Sequence, residues 1–299
     1  MTQARRQVGS TFKPFLYTLA MQEGEYTPCT TVPNISYSIE MPDGKFWEPR
    51  DAGKTKFGEE VTLKWALAHS NNRISTYLMK RFGPEAVIEM ARRMGVTSDI
   101  PAVPSICLGV CDISLYEMVG AMNTFANQGV YVKPSFITKI EDKNGNVIEY
   151  FDNEHIEAMD EVTAYKMIEL MKGVVQSGTG VRLKYKYGLR NPIAGKTGTT
   201  QNQSDGWFMG ITPDLTTGIW TGAEDRSVHF RTIGLGQGSN MALPVWAIYM
   251  QKVYADSTLN ISTGDFDKPL SDVALEFDCE LYEQEQSQKN QVVVEEEEF

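Results

Sequence analysis

The stretch PIAGKTGTTQNQSDGWFMGITPDLTTGIWTG, residues 192–222, decides the fold. It holds three runs, Pro192 to Thr199, Gly206 to Ile211 and Thr216 to Gly222, the last two separated by a Pro213-Asp214 turn. Runs of this length bounded by turn residues read as neighbouring strands. Met241 to Ala255, just downstream, is rich in Trp, Tyr and Met with helical periodicity, so the pattern predicts an antiparallel sheet with a helix packed on it. In the first strand, alternation puts Lys196 and Gly198 on one face and Thr197 and Thr199 on the other, while glycine lets another molecule's backbone lie close. As an edge strand it suits an extended peptide bound by strand addition, with Lys and Thr available to a carboxylate.

Outward from this core, helical periodicity marks Ser10 to Met21, Leu63 to Phe82, Pro84 to Met94 beyond Gly83, Ser114 to Asn127, and Glu161 to Ser177. Phe136 to Ile140 and Val147 to Phe151 flank Asn144-Gly145, a dipeptide suited to a tight hairpin with positive φ at both central residues. The fold class is therefore α/β in the α+β sense: a central antiparallel sheet flanked by helices, with an all-helical part.

The 299 residues are 41% hydrophobic and 22% charged, which excludes wholesale disorder and collagen-like repetition. With 28 Lys and Arg against 39 Asp and Glu the net charge is −11, which argues against nucleic acid as a partner. Residues 260–299 carry −10 of that charge and residues 1–259 only −1. The acidity belongs to a C-terminal extension, expected to be disordered, beyond a domain at 1–259. No run approaches the roughly 18 apolar residues of a membrane span, and the first thirty residues lack a signal peptide's apolar core. Cys29, Cys107, Cys111 and Cys279 with His69, His155 and His229 form no metal-ligand spacing, so no metal or cofactor is expected. Cys107 and Cys111 read either as a pair in an oxidising compartment or as two ordinary buried thiols.

Three short motifs carry chemistry. Ser10-Thr-Phe-Lys13 places hydroxyl and amine on one helical face at a helix start, where the dipole favours an alkoxide. Lysine serves as base there only if burial or a neighbouring cation lowers its pKa. Such an S-x-x-K arises by chance about once per chain of this length, so alone it reads as a helix cap before a surface lysine. Ser70-Asn71-Asn72 interrupts an apolar helical stretch with polar groups, either facing a cavity or forming a plain exposed turn. Lys196-Thr197-Gly198, expected by chance in about one chain in ten to twenty, is the most informative of the three.

In this order the three form the set found in penicillin-binding proteins and serine β-lactamases. Residues 3–15 (QARRQVGSTFKPF), 61–70 (VTLKWALAHS), 206–213 (GWFMGITP) and 243–246 (LPVW) extend the resemblance, which covers about residues 3–256, to the transpeptidase domain of class A (bifunctional) penicillin-binding proteins. It implies that Ser10 is the acylated nucleophile, Lys13 its general base, Ser70 the proton relay, and Lys196 the group that holds Ser70 and supplies positive potential. It further implies that Asn72 binds the substrate's peptide amide and that Thr197, Gly198 and Thr199 bind the substrate's end. The N–H groups of Ser10 and Thr199 would form the oxyanion hole.

The implied reaction is D,D-transpeptidation: Ser10 is acylated by the D-Ala-D-Ala end of a peptidoglycan stem peptide, D-Ala leaves, and an amine of a second stem accepts the acyl group. β-Lactams would be trapped at the first step. Cell-wall synthesis proteins are possible further partners. A class A β-lactamase needs a water-activating Glu in an E-x-x-L-N setting, and none lies between Asn72 and Lys196. A D,D-carboxypeptidase or a non-catalytic penicillin-binding sensor are the alternatives. The resemblance implies an extracytoplasmic site at the cell envelope, two further sheet strands before the nucleophile, a glycosyltransferase domain and a membrane anchor. Only nine residues precede Ser10, so the sheet is expected to lack its first two strands. Two residues depart from the family pattern, Val8 for proline and Asp51 for asparagine, and both are read as affecting a loop more than the chemistry.

Overall fold

The computed structural model describes residues 2–23, 26–41, 43–51, 56–270 and 277–279. Strand β1 (Arg5–Gln7) runs into a 3-10 turn (Gly9–Phe12) and helix α1 (Lys13–Gln22), where Pro14 falls in the first turn and breaks no hydrogen bond. Short strands β2 (Thr31–Pro33), β3 (Ile39–Glu40), β4 (Phe46–Trp47) and β5 (Glu60–Thr62) pair as β2 with β5 and β3 with β4. Helix α2 (Leu63–Ala68) ends before the polar tripeptide, and helix α3 (Asn72–Arg93) begins within it, capped by the Asn71 side chain. Gly83 breaks α3 with φ 78°, at the division the sequence predicts.

Strand β6 (Asp112–Ser114) pairs with β1 and leads into α4 (Leu115–Ala126), whose start is a capping box formed by Ser114 and Glu117. Strands β7 (Val130–Val132) and β10 (His155–Glu157) pair around the hairpin β8 (Lys139–Glu141) and β9 (Val147–Tyr150). Helix α5 (Glu161–Gln176), buried on nearly every side, precedes α6 (Arg182–Tyr185) and the strands β11 (Ala194–Thr199), β12 (Asp205–Ile211) and β13 (Thr216–Gly222). Helices α7 (Ile233–Gly236) and α8 (Gly238–Ala255) follow.

The central sheet has the order β11-β12-β13, antiparallel throughout, with Lys196 opposite Met209 and Trp207 opposite Trp220. Alternation along β12 builds both sides of it: Trp207, Met209 and Ile211 enter the core shared with α1, α3, α4 and α5, while Phe208 enters a second core with Leu243, Trp246 and Met250 of α8. Phe208 meets Trp246 edge-on at 5.1 Å between ring centres. The mixed architecture of helices and antiparallel strands is the one expected, and three central strands are present among the described residues.

One expectation needs correction, and one open alternative is decided. The 144–145 turn is wider than a two-residue hairpin, because the Asp142 carboxylate accepts from the N–H groups of Asn144 (2.7 Å) and Asn146 (2.9 Å). Gly145 takes a positive φ there and Asn144 does not. Cys107 and Cys111 are free and buried, whereas Cys29 and Cys279 form a disulfide across 250 residues of sequence. Three residues of the extension beyond residue 259 contact the domain. Asp265 pairs with Lys172 at 2.9 Å, Phe266 is buried, and Phe277 sits edge-on to Tyr165 beside the disulfide. Residues 280–299, with the acidic run Glu295–Glu298, lie outside the described residues.

Candidate active site

Ser10 occupies the 3-10 turn ahead of α1 and is partly exposed, while Phe12 and Phe15 on the same segment are fully buried and fasten it to the core. Gly9 has φ +52°, and a Cβ there would stand 2.7 Å from the Thr199 carbonyl oxygen. Only glycine allows the nucleophile's backbone to lie so close to the end of β11. The two N–H groups expected to form an oxyanion hole, those of Ser10 and Thr199, thus come from segments in direct contact.

Lys13 has no exposed surface. Its ammonium donates to Ser70 O (2.6 Å), Asn72 Oδ1 (2.8 Å), Asn71 O (3.2 Å) and Ser70 Oγ (3.3 Å). Lys196, equally buried, donates to the same Ser70 Oγ at 2.9 Å and to Thr197 O at 3.1 Å. Ser70 therefore stands between two amines, in the left-handed region at φ +55°. The three sequence motifs, far apart in the chain, meet at this hydroxyl.

Burial lowers the Lys13 pKa to about 8, against opposing pulls from Cys107 and Asp51. Lys196 is lowered well below the usual lysine range, first by burial and then by repulsion from Lys13. Both shifts run in the same direction, so each amine holds its proton less firmly than an ordinary lysine.

Thr197 Oγ1 lies 2.7 Å from Thr179 Oγ1, and Thr199 Oγ1 accepts the N–H of Gly238 at 2.9 Å, which leaves its own proton free to donate. At Gly198 the missing side chain makes room for a neighbour within the chain. A Cβ there would stand 2.7 Å from Val8 O and 2.9 Å from Thr11 Cγ2, so its missing side chain admits the nucleophile's own segment. Asn72 is also engaged, with Oδ1 on Lys13 and Nδ2 donating to Arg50 O at 2.8 Å, and its Oδ1 keeps a second lone pair for a substrate amide.

Ser10, Ser70, Asn72, Thr197 and Thr199 line one cleft of about 690 Å³, walled on one side by Trp47 and Trp65. A larger cleft of about 930 Å³ borders the Cys279 segment but contains no nucleophile beside a base, and its Lys172 is bound to Glu169 and Asp265. Size alone would select the wrong cavity; the convergence of motifs selects the first.

The penicillin binding protein transpeptidase domain model matches residues 1–223. The chain belongs to this family. A penicillin-binding protein 1A of Aquifex aeolicus is 33% identical over 275 residues, covering 91% of this chain and 36% of that protein. Among solved structures, penicillin-binding protein 1A from Haemophilus influenzae shares the fold with a TM-score of 0.76 at 23% identity, over 85% of this chain and 43% of that one. The PonA1 protein of Mycobacterium tuberculosis, in complex with penicillin V, does so with a TM-score of 0.73 at 24% identity, over 90% and 74%. The chain spans about a third of the length of the curated relatives it matches.

Within this transpeptidase fold, two residues of the cleft escape the motif reading. Thr179, in Gly178-Thr-Gly180, lies outside the three motifs, although its N–H donates to Ala68 O at 3.1 Å and its hydroxyl meets Thr197. A threonine between two glycines, upstream of α6 and of the strand that carries Lys196, is the available signal. Asp51, assigned to a loop, puts its carboxylate on the Ser70–Asn72 turn, bonding the Asn72 N–H at 2.5 Å.

Proposed function

We propose that this chain performs D,D-transpeptidation of peptidoglycan stem peptides through an acyl-enzyme on Ser10. The observation that carries the reading is the placement of Ser70 Oγ between the amines of Lys13 (3.3 Å) and Lys196 (2.9 Å) in the cleft that Ser10 lines. Neutral Lys13 takes the Ser10 proton as Oγ attacks the carbonyl of the penultimate D-Ala. The tetrahedral oxyanion is received by the N–H groups of Ser10 and Thr199. Collapse breaks the peptide bond, and Ser70 passes a proton to the departing D-Ala nitrogen, replenished from the lysines. An amine of a second stem then attacks the ester, loses its proton to Lys13, and restores Ser10.

The substrate's terminal carboxylate sits against the hydroxyls of Thr197 and Thr199. Its negative charge raises the proton affinity of Lys196, and a charged Lys196 in turn favours the neutral form of Lys13 that acts as base. β-Lactams carry an equivalent carboxylate and strained amide, so they acylate Ser10 and stay. The Cys29–Cys279 disulfide supports an oxidising compartment outside the cytoplasmic membrane. On this reading the parent protein is anchored in the membrane and also carries a glycosyltransferase domain.

Incubation with a pentapeptide ending in D-Ala-D-Ala, with and without an amine acceptor, tests the assignment. Cross-linked product is expected; release of D-Ala with only the trimmed peptide would assign a D,D-carboxypeptidase instead. Stable acylation by penicillin with no peptide turnover would assign a sensor.

A further inference from the structure

Asp51 is assigned no step of the reaction, yet it holds the piece of backbone on which the reaction depends. Its carboxylate is 4% exposed, and its two oxygens receive three donors from one turn: Asn72 N–H at 2.5 Å on Oδ1, and Arg73 Nη1 at 2.5 Å with Asn71 Nδ2 at 3.2 Å on Oδ2. The preceding residue adds a fourth tie, since Arg50 O accepts from Asn72 Nδ2 at 2.8 Å. Asn71 in turn donates to Asn34 Oδ1 at 3.1 Å and caps α3 by accepting from Ile74 N–H at 2.8 Å.

These ties act where the backbone is least content to stay. Ser70 is a non-glycine residue at φ +55°, a conformation that persists only when its surroundings enforce it. From one side Lys13 enforces it, through Ser70 O, Asn71 O and Asn72 Oδ1; from the other side Asp51 does. We propose that Asp51 is a positioning residue for acylation: ion-paired to Arg73, its carboxylate fixes the Ser70–Asn72 turn against Lys13 and Lys196 and is the anionic counter-charge that Lys13 faces. The proposal rests on the reading of Ser10 as nucleophile and Lys13 as base.

The charged and titratable groups around Lys13 are Lys196 from β11, Asp51 and Arg73 about the turn, Tyr17 one helical turn on in α1, and Cys107 from the segment Pro104–Leu108. Burial pushes the Cys107 thiol up to about 12 and the Tyr17 phenol above its usual range, so both are uncharged at neutral pH. Among these groups the negative charge is that of Asp51. An asparagine in its place would lose that charge and would set an amide N–H against donors that now meet an oxygen.

The test is the second-order rate of acylation by a fluorescent penicillin, followed from pH 5.5 to 10, for the wild-type chain and for Asp51→Asn, Arg73→Met and the double variant. Removing the anion lowers the proton affinity of Lys13, and removing Arg73 takes a positive charge from beside that anion and raises it. Asp51→Asn should move the rate midpoint down by about half a unit to one unit, Arg73→Met should move it up, and the double variant, which removes both charges, should fall between the two. Asp51→Asn should also lower the plateau rate by about tenfold as the turn loosens. A merely structural Asp51 would lower the melting temperature and leave the midpoints where they are, which overturns the proposal. If Asp51→Asn does not fold, an unmoved or lowered midpoint in Arg73→Met overturns it equally. Failure of the wild type to label at Ser10 would instead refute the assignment on which the proposal rests.

Discussion

Acylation of Ser10 by a fluorescent penicillin should rise with pH along a single curve whose midpoint lies near that of Lys13, about 8. An ordinary lysine at 10.5 would be neutral in only about 0.03% of molecules at pH 7, whereas a midpoint of 8 leaves about 10% neutral. Burial therefore supplies about 300-fold more base at that pH, without a metal or a histidine in the role. Between pH 6 and 7 the rate should climb about tenfold, and above pH 9 it should level off. The same shift has a consequence for stability. Because the folded pKa of Lys13 lies below the unfolded one, the unfolded chain binds more protons between pH 8 and 10.5, and unfolding free energy rises with pH across that window. The full difference is about 3 kcal/mol, present as a cost below pH 8 and gone above 10.5. Stopped-flow labelling under single-turnover conditions at constant ionic strength reads the first effect, and denaturant unfolding at each pH reads the second. A rate independent of pH from 6 to 9, or a midpoint near 10.5, would refute the argument that burial makes Lys13 the base.

Other consequences follow from particular contacts. Gly9→Ala forces an alanine to φ +52° and its Cβ to 2.7 Å from Thr199 O, so the nucleophile turn must move off β11. Acylation should fall by about 10²- to 10³-fold, as for loss of an oxyanion-hole donor, while circular dichroism keeps its helical content. Thr179→Val removes the hydroxyl that meets Thr197 Oγ1 at 2.7 Å and should raise KM for carboxylate-bearing substrates more than it lowers kcat, with Thr179→Ser restoring both. Glu117→Gln weakens a carboxylate that accepts from both backbone and side chain of Thr97, Ser98 and Ser114. It should destabilise the fold by about 1–2 kcal/mol in thermal or denaturant unfolding. Burial raises the Glu117 pKa, but the hydrogen bonds from Ser114 and Ser98 outweigh it and leave the group at about 2. Its contribution is thus present above about pH 4.5 and lost as the pH falls toward 2.

The central sheet was legible because alternation and turn residues are local signals. β11, β12 and β13 fall within a residue or two of the runs that open the sequence reading, and α8 lies on them as its aromatic content implied. The site was legible in a different way, through the order of three motifs that are individually weak. No local signal says that Lys13 reaches Ser70, 57 residues on, or that Lys196 reaches it from 126 residues away. What stayed hidden shares one physical cause: the partner is set by tertiary packing. Asp51 looked like loop because its three partners come from a turn about twenty residues later. The missing side chain of Gly198 makes room for Val8 and Thr11, nearly two hundred residues earlier, which no local signal announces. Cys29 and Cys279, 250 residues apart, carry nothing in their spacing that pairs them.

Peptide mapping by mass spectrometry after reaction with penicillin tests the central claim most directly. The account predicts a single adduct of intact penicillin mass on the peptide containing Ser10, absent in Ser10→Ala. An adduct on another residue, or labelling that survives Ser10→Ala, would contradict it.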